Sequence, residues 1–472
     1  MSGDDINRLF DLQLDFSSEI RETGYKDRIK KIKKIKSWIY ENRLNIQKAL
    51  KDDLSKPTVE TDITETWVTI DMANDIIKNL KKWMSAKKVP NSFPVIFSRS
   101  SIEYYPKGVC LIIAPWNYPF QMCIAPLLYS IAAGNCTIIK PSESTPHTSK
   151  LVFDMIGELF KQEEVSVVEG AKEESKKLLE LPFNHIFFTG SEGVGKKVVQ
   201  ASSRFLSSVT LELGGKSPVV VDKKYNLGKV VNRLVATKFL NLGQSCIAPD
   251  YVIISEDDYE DFLKLLIKKI GSCYGSSFKE QLGSESLARI VNKAQHARLV
   301  QLIDNNKDDI VYGGEHSDEN LFISPTVMKV SSHKKEPLKD EIFGPILPIV
   351  TFSNEKDLES ILLKINNPLA LYIFSNNKRF INKVKNQSSS GAVCINDIAA
   401  QFLNHNLPFG GVMSSGSGRY HGYAGFQEFS NQRSVIHQSK INFLSILSAP
   451  YTKSTHRVVK FLLKLYSKYK IF

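Results

Sequence analysis

Residues Gly108 to Ile139 form a run of 32 residues without one charged side chain. A run of this length could span a bilayer as a helix, which takes about 20 apolar residues. Its own composition excludes that. Pro115, Pro119 and Pro126 interrupt it, and Asn117, Gln121 and Asn135 place polar amides inside it. Proline removes a helical hydrogen bond and clashes with the preceding turn, so one continuous spanning helix is a poor fit. The run is read instead as a buried strand, a turn, a helix and a second strand, interior to an α/β sheet.

The following sequence repeats that plan. Apolar runs at 108–113, 136–140, 165–168, 185–189 and 208–212 are separated by helical patterns. Short buried strands alternating with helices predict a doubly wound parallel sheet, whose ligands sit at the carboxyl ends of its strands. A second α/β set begins near Lys216, with strands expected at 218–221, 251–254, 347–351, 370–374 and 391–395. Upstream, residues 6–86 read as helices, and 90–106 as a hairpin. Past Asn396 a Gly-rich stretch, LPFGGVMSSGSGRYHGYAG, reads as loop chemistry, and it is expected to share a small third module with the hairpin.

The net charge of +12 does not make this a nucleic-acid-binding chain. Lys26 to Lys36 contributes +6 and residues 441–472 another +6, leaving 49 bases against 49 acids elsewhere. In the first patch Ile29, Ile32, Ile35, Trp38 and Ile39 recur at helical spacing, so the lysines between them form a solvated face. In the second, Arg457, Lys460, Lys464 and Lys468 form one stripe of a helix. Val458, Phe461, Leu462, Leu465, Tyr466 and Tyr469 line the remainder. Such a helix either packs on the protein or lies on an anionic membrane surface. The six cysteines form no CxxC pair and no Cys/His cluster, and the acidic start lacks an apolar stretch. The expectation is a cytoplasmic protein with free thiols and no metal site.

Several residues can carry chemistry. Cys246, in GQSCIAP, is either a nucleophile or a buried apolar cysteine. Glu212 ends a predicted strand and is either a general base or a helix-capping or surface acid. Asn117, in APWNYP, can donate to an oxyanion or merely shape a turn. Lys140 and Glu143 follow the second strand, where such groups hold ribose hydroxyls or pair with each other. Gly190, Ser191 and Gly195 run from a strand into a helix whose N–H groups can meet a pyrophosphate. That segment nearly matches a P-loop, but Lys197 stands where the magnesium-binding hydroxyl belongs. Glu341 and Phe343, two apart before Gly344-Pro345, can face one ligand from an extended segment.

In order and spacing, PWNYP, KPSE, FTGS-x-x-VGK, LELGGKSP, GQSCIAPDY, DEIFGP and LPFGGV-x-x-SG-x-G resemble the aldehyde dehydrogenase superfamily over roughly residues 10–435. The CIAPDY wording and the ending FxxFSNQRSV resemble its class 3 and fatty-aldehyde branch. Ser245, Met413 and Asn431 depart from frequent choices of that branch, and none is a proposed catalytic group. The resemblance implies an NAD(P)-binding domain (1–88 and 107–212), a catalytic domain (213–396), an oligomerisation module (89–106 and 397–440) and a tail (441–472). It implies oxidation of a medium- or long-chain aliphatic, or an aromatic, aldehyde to its acid by a homodimer. Cys246 would be the nucleophile, Asn117 the oxyanion donor and Glu212 the base for water. Trp116, Lys140, Glu143, Gly190, Ser191, Gly195, Glu341 and Phe343 would bind the cofactor. Glu143 favours NAD, with NADP possible. A CoA-acylating dehydrogenase and a non-catalytic binding protein on the same scaffold are the alternatives.

Overall fold

The computed structural model describes residues 3–331, 336–440 and 448–468. It divides into two compact units, Met1–Trp83 with Pro106–Ser430, and Met84–Tyr105 with Asn431–Phe472.

The larger unit holds two sheets. In the first, the parallel strands stand in the order Ser208–Leu213, His185–Gly190, Val109–Ile113, Cys136–Lys140, Val165–Val167. The first strand in sequence lies in the middle, and the chain winds outward from it in both directions. That reversal opens a crevice at the carboxyl ends of the strands. All five strands fall where the apolar runs predict them. The uncharged run folds as expected into the strand Val109–Ile113, a turn, the helix Gln121–Ala133 and the strand Cys136–Lys140. Pro115 and Pro119 lie in the turn, while Pro126 is accommodated inside the helix, every residue of which is buried.

The second sheet runs Ile310–Tyr312, Thr326–Lys329, Ile346–Phe352, Tyr251–Ser255, Pro218–Val221, Ala370–Phe374, Ala392–Ile395. The last five are the expected strands, all parallel. The other two went unpredicted: one has three residues and the other four, too short for a periodic signal. A core of Val, Ile, Leu and Phe side chains from these strands and their covering helices fills this half.

Helices Gly3–Arg21, Tyr25–Glu41, Arg43–Leu54 and Val68–Trp83 make up the N-terminal region. Ile32, Ile35, Trp38 and Ile39 are buried as their spacing requires, and Lys30, Lys33 and Lys34 are exposed. Arg28 departs from the wet-face reading. It is buried and donates to the carbonyl of Ala132 (3.0 Å) at the end of the helix Gln121–Ala133. Burial lowers its pKa to about 10, against the pull of Asp27.

The smaller unit contains a three-stranded sheet of Lys87–Val89, Arg99–Pro106 and Ser430–His437, and the helix Lys453–Lys468. The Arg433 guanidinium sits over the Tyr105 ring at 3.9 Å. The hairpin is therefore present, but it does not share a module with the whole Gly-rich stretch. Residues 397–430 belong to the larger unit, where Gly416–Ser417 pairs antiparallel with the strand carrying Glu212. The glycines are there because backbones touch: a Cβ on Gly416 would lie 2.2 Å from the Leu211 carbonyl oxygen. The tail helix forms as expected. Tyr469, at its end, lies outside the described residues. No helix among the described residues is long and apolar enough to cross a membrane.

Candidate active site

The strand Val109–Ile113 ends in the turn that carries Trp116 and Asn117. A buried ion pair holds that turn. Lys56 Nζ lies 2.7 Å from Glu65 Oε1, and neither side chain reaches solvent. Lys56 also donates to the Asn117 carbonyl (3.2 Å) and sits 4.2 Å over the Tyr118 ring, while Glu65 Oε2 accepts the Gln121 N–H (2.8 Å). Glu65 lies in a π-helical turn, Asp62–Trp67, a distortion frequent at functional sites. Asn241 Nδ2 adds a second donor to the Asn117 carbonyl (2.8 Å). The Asn117 backbone is thus fixed from two sides. Its side-chain Nδ2 donates to the Gln244 carbonyl (3.1 Å), two residues before Cys246. An amide has two N–H groups, so one remains to be offered elsewhere.

Cys246 follows a strained turn. Asn241 and Leu242 adopt left-handed backbone angles (φ 49° and 52°), and Gly243 continues at 77°. A Cβ on Gly243 would fall 2.3 Å from the Gly344 oxygen, so only glycine fits. Gln244 pins the turn by donating to Asn241 (3.0 Å) and Arg289 (2.9 Å) carbonyls and accepting from Val291 N–H (3.1 Å). Tyr372 Oη donates to the Ile247 carbonyl (2.6 Å). Cys246 is half-buried and its thiol is free. Burial pushes its pKa up, the nearby Glu341 and Glu212 carboxylates push further, and the N–H groups of Cys246 and Ile247 pull it back.

Glu212 stands at the end of its strand, opposite Gly416. It is 4% exposed, and neither carboxylate oxygen has a hydrogen-bond partner among the described residues. An unsatisfied buried carboxylate is costly and signals a group held for a task. Burial raises its pKa well above the ordinary range; Arg419 opposes this and Glu428 adds to it. Gly410 leaves room for it, since a Cβ there would lie 3.1 Å from Glu212 Oε1.

Glu341 reaches the turn that follows Glu212. Its carboxylate lies against Gly214, where no Cβ fits, and accepts the Gly215 N–H. Burial and Asp250 push its pKa up to about 8, against Gly215, Lys216 and Lys238. Asp250 accepts the Ile342 N–H (3.0 Å) and pairs with Lys216, which also donates to the Asp340 carbonyl (2.7 Å). Phe343, left-handed at φ 53°, meets Trp116 edge to face at 5.3 Å. The segments of Asn117, Glu212, Glu341 and Tyr372 are thereby brought to the Cys246 turn.

Lys140, Glu143, Gly190 and Ser191 stand at the carboxyl ends of the first sheet's strands. Lys140 is buried, donates to the Pro141 carbonyl (2.6 Å) and lies 3.7 Å from the exposed Glu143 carboxylate. Burial lowers the Lys140 pKa and Glu143 raises it. Ser191 precedes the helix Glu192–Ser202, and its hydroxyl makes no capping hydrogen bond. The Gly195 N–H donates within the first turn to the Ser191 carbonyl (2.9 Å) and so is already committed to the helix. A Cβ there would come within 2.9 Å of Leu213 Cδ2, so this glycine lets the helix lie close on the strand. Sequence reasoning missed Lys56, Glu65 and Gln244, whose partners lie up to 127 residues away. No local pattern marks them.

A family model described as "Aldehyde dehydrogenase family" matches residues 2–435. The 4,4'-diaponeurosporen-aldehyde dehydrogenase of Staphylococcus aureus is 40% identical over 88% of this chain and 89% of its own length. Aldehyde dehydrogenase family 3 member H1 of Arabidopsis thaliana is 35% identical over 97% and 95%. The solved structure of Staphylococcus aureus AldH in a substrate-bound state superposes with a TM-score of 0.92 at 37% identity, covering 97% of this chain and 99% of that one. The family match, the relatives and the shared fold agree with the residues gathered around Cys246: the chain belongs to the aldehyde dehydrogenase family.

Proposed function

We propose that this enzyme oxidises an apolar aldehyde of medium or long chain to the carboxylic acid, with NAD(P) as hydride acceptor. The observation that carries the reading is the convergence of Asn117, Cys246 and the unpartnered carboxylate of Glu212 from separate elements of the larger unit. The relative acting on a diaponeurosporen aldehyde supports a long apolar substrate.

The Cys246 thiol gives its proton to solvent, and the sulfur adds to the aldehyde carbon. The carbonyl oxygen becomes an oxyanion, which the free N–H of Asn117 and the Cys246 N–H stabilise. Bound NAD(P) supplies the acceptor for the hydride that leaves the same carbon. Cys246 then holds a thioester. Glu212 takes a proton from water, the oxygen adds to the acyl carbon, and the acid leaves as the thiol reforms. Its raised pKa makes Glu212 a stronger base once ionised.

The residues at the carboxyl edge suit the cofactor. The Ser191 hydroxyl and the adjoining helix N-terminus would receive the pyrophosphate, Lys140 and Glu143 the adenosine ribose, and Glu341 the nicotinamide ribose. Phe343 and Trp116 would pack beside the ring. The Glu143 carboxylate repels a 2′-phosphate, which favours NAD.

Cys246→Ser is expected to abolish aldehyde-dependent NADH formation while NAD binding persists; sustained turnover of a good aldehyde would remove Cys246 from the mechanism. Glu212→Gln is expected to keep a rapid first burst of NADH and lose steady turnover. A parallel assay with CoA, reading acid against acyl-CoA, separates hydrolysis from acyl transfer. A homodimer is the assembly we infer, and sedimentation velocity tests it. The tail helix meets Phe93 through Tyr466 (6.0 Å, edge to face) but leaves Phe461 and Leu463 exposed beside its basic stripe, which supports contact with an anionic membrane. Removal of residues 441–472 should abolish cosedimentation with anionic liposomes; unchanged pelleting ends that reading.

A further inference from the structure

His296, His316 and Asp318 lie outside the catalytic cluster, and twenty or more residues separate the first from the others. Among the described residues they form the one group of three side chains whose donor atoms all lie within 4.8 Å of each other.

His296 is buried in the helix Lys293–Asp304. Its Nε2 lies 3.2 Å from the Phe322 carbonyl. A carbonyl only accepts, so this nitrogen carries a hydrogen, and Nδ1 is the ring atom turned toward the hairpin. It faces Asp318 Oδ1 at 3.7 Å. His316 Nδ1 approaches the same oxygen at 3.2 Å. His316 and Asp318 sit on a tight hairpin. His316–Ser317 pairs with Phe322–Ile323, and Asn320 closes the turn by donating to Ser317 Oγ (2.9 Å). One face of the hairpin thus presents a nitrogen and a carboxylate toward a third donor on the helix.

We propose that these three side chains bind a divalent transition ion of the zinc type. Two imidazoles and one carboxylate suit zinc, cobalt or nickel, whereas magnesium and calcium take oxygen ligands. With metal–ligand bonds of about 2.0–2.2 Å, donors around a tetrahedral ion stand roughly 3.3–3.5 Å apart. Two of the separations, 3.2 and 3.7 Å, lie close to that spacing, and the exposed Asp318 and partly exposed His316 are free to adjust and to close the third. The Phe322 carbonyl orients the His296 ring from behind, as outer partners of metal-bound histidines do. Water completes the coordination on the open side. The ion fastens the hairpin to the helix. That helix also holds the segment of Glu341 and Phe343, through Arg298 on the Ile342 carbonyl (2.7 Å).

The test is a titration of chelator-treated full-length protein with Co²⁺, followed by visible absorption and thermal melting. One ion per chain is expected, with a d–d spectrum free of thiolate charge transfer, displacement by Zn²⁺, and a rise in Tm on binding. His316→Gln and Asp318→Asn, both toward the surface, should each weaken binding at least about tenfold and abolish the Tm rise. His296→Gln should do the same and serves as a third arm. Absence of saturable binding overturns the proposal. So does binding that all three variants leave unchanged, or a thiolate spectrum, which would put the ion on a cysteine such as Cys246.

Discussion

Asn117 has one amide N–H committed to Gln244 and one free, so its loss removes a single donor to the oxyanion. Such a donor is worth about 3–4 kcal/mol, and Asn117→Ala should lower kcat roughly 10²–10³-fold with little change in KM. A near-normal rate would exclude the residue from the chemistry. Glu65 tests the support behind it. Glu65→Gln leaves the Lys56 ammonium buried without its counter-charge, which costs about 3–5 kcal/mol where a buried pair is broken. Urea unfolding should show that loss, with kcat falling as the Asn117 turn loosens. At this scale the sequence marks Cys246, Glu212, Asn117, Glu341 and Phe343, because each sits in an unusual local string. It hides Lys56 and Glu65, which look like ordinary surface residues until the chain brings them together. Glycine has several uses, and the packing of Gly195 against Leu213 is one that its local string does not announce.

The elements were legible where periodicity is long. Five strands of the first sheet and five of the second follow from apolar runs bounded by turn residues. The strands Ile310–Tyr312 and Thr326–Lys329 escaped because so few residues carry no period. The left-handed path through Asn241, Leu242 and Gly243 was also invisible, since only Gly243 betrays it. That turn yields a sharp expectation. Gly243→Ala meets the Gly344 oxygen and a disfavoured φ together, so the Cys246 segment must move away from the Glu341 segment. Turnover should fall at least about tenfold and the melting temperature should drop, because the strain destabilises the turn and a misplacement near 1 Å can cost about a hundredfold in rate. Equal activity with an intact melt would show that the close approach is dispensable.

For the whole molecule, buried carboxyl groups set a pH dependence. Glu60, desolvated and only partly offset by the Asn241 N–H and Lys56, has its pKa raised from 4.5 to about 7. The folded state then binds this proton more tightly than the unfolded chain does. The stability it contributes is fully present below pH 4.5 and is lost as pH rises through about 7. Glu60→Gln keeps an acceptor for Asn241 but cannot ionise. Between pH 4.5 and 7 its unfolding free energy should decline less steeply than that of the natural protein; parallel slopes in denaturant titrations would rule Glu60 out as the source. The two sheets have a further consequence. Asn117 and Glu212 come from the first, Cys246 and Glu341 from loops of the second, and Gly416–Ser417 returns late in the chain to border Glu212. A break at the exposed Lys223–Lys224 turn would therefore leave one fragment with the oxyanion donor and the base, and another with the sulfur. Neither piece holds a working site, so such a cut yields a split reporter whose signal depends on reassembly.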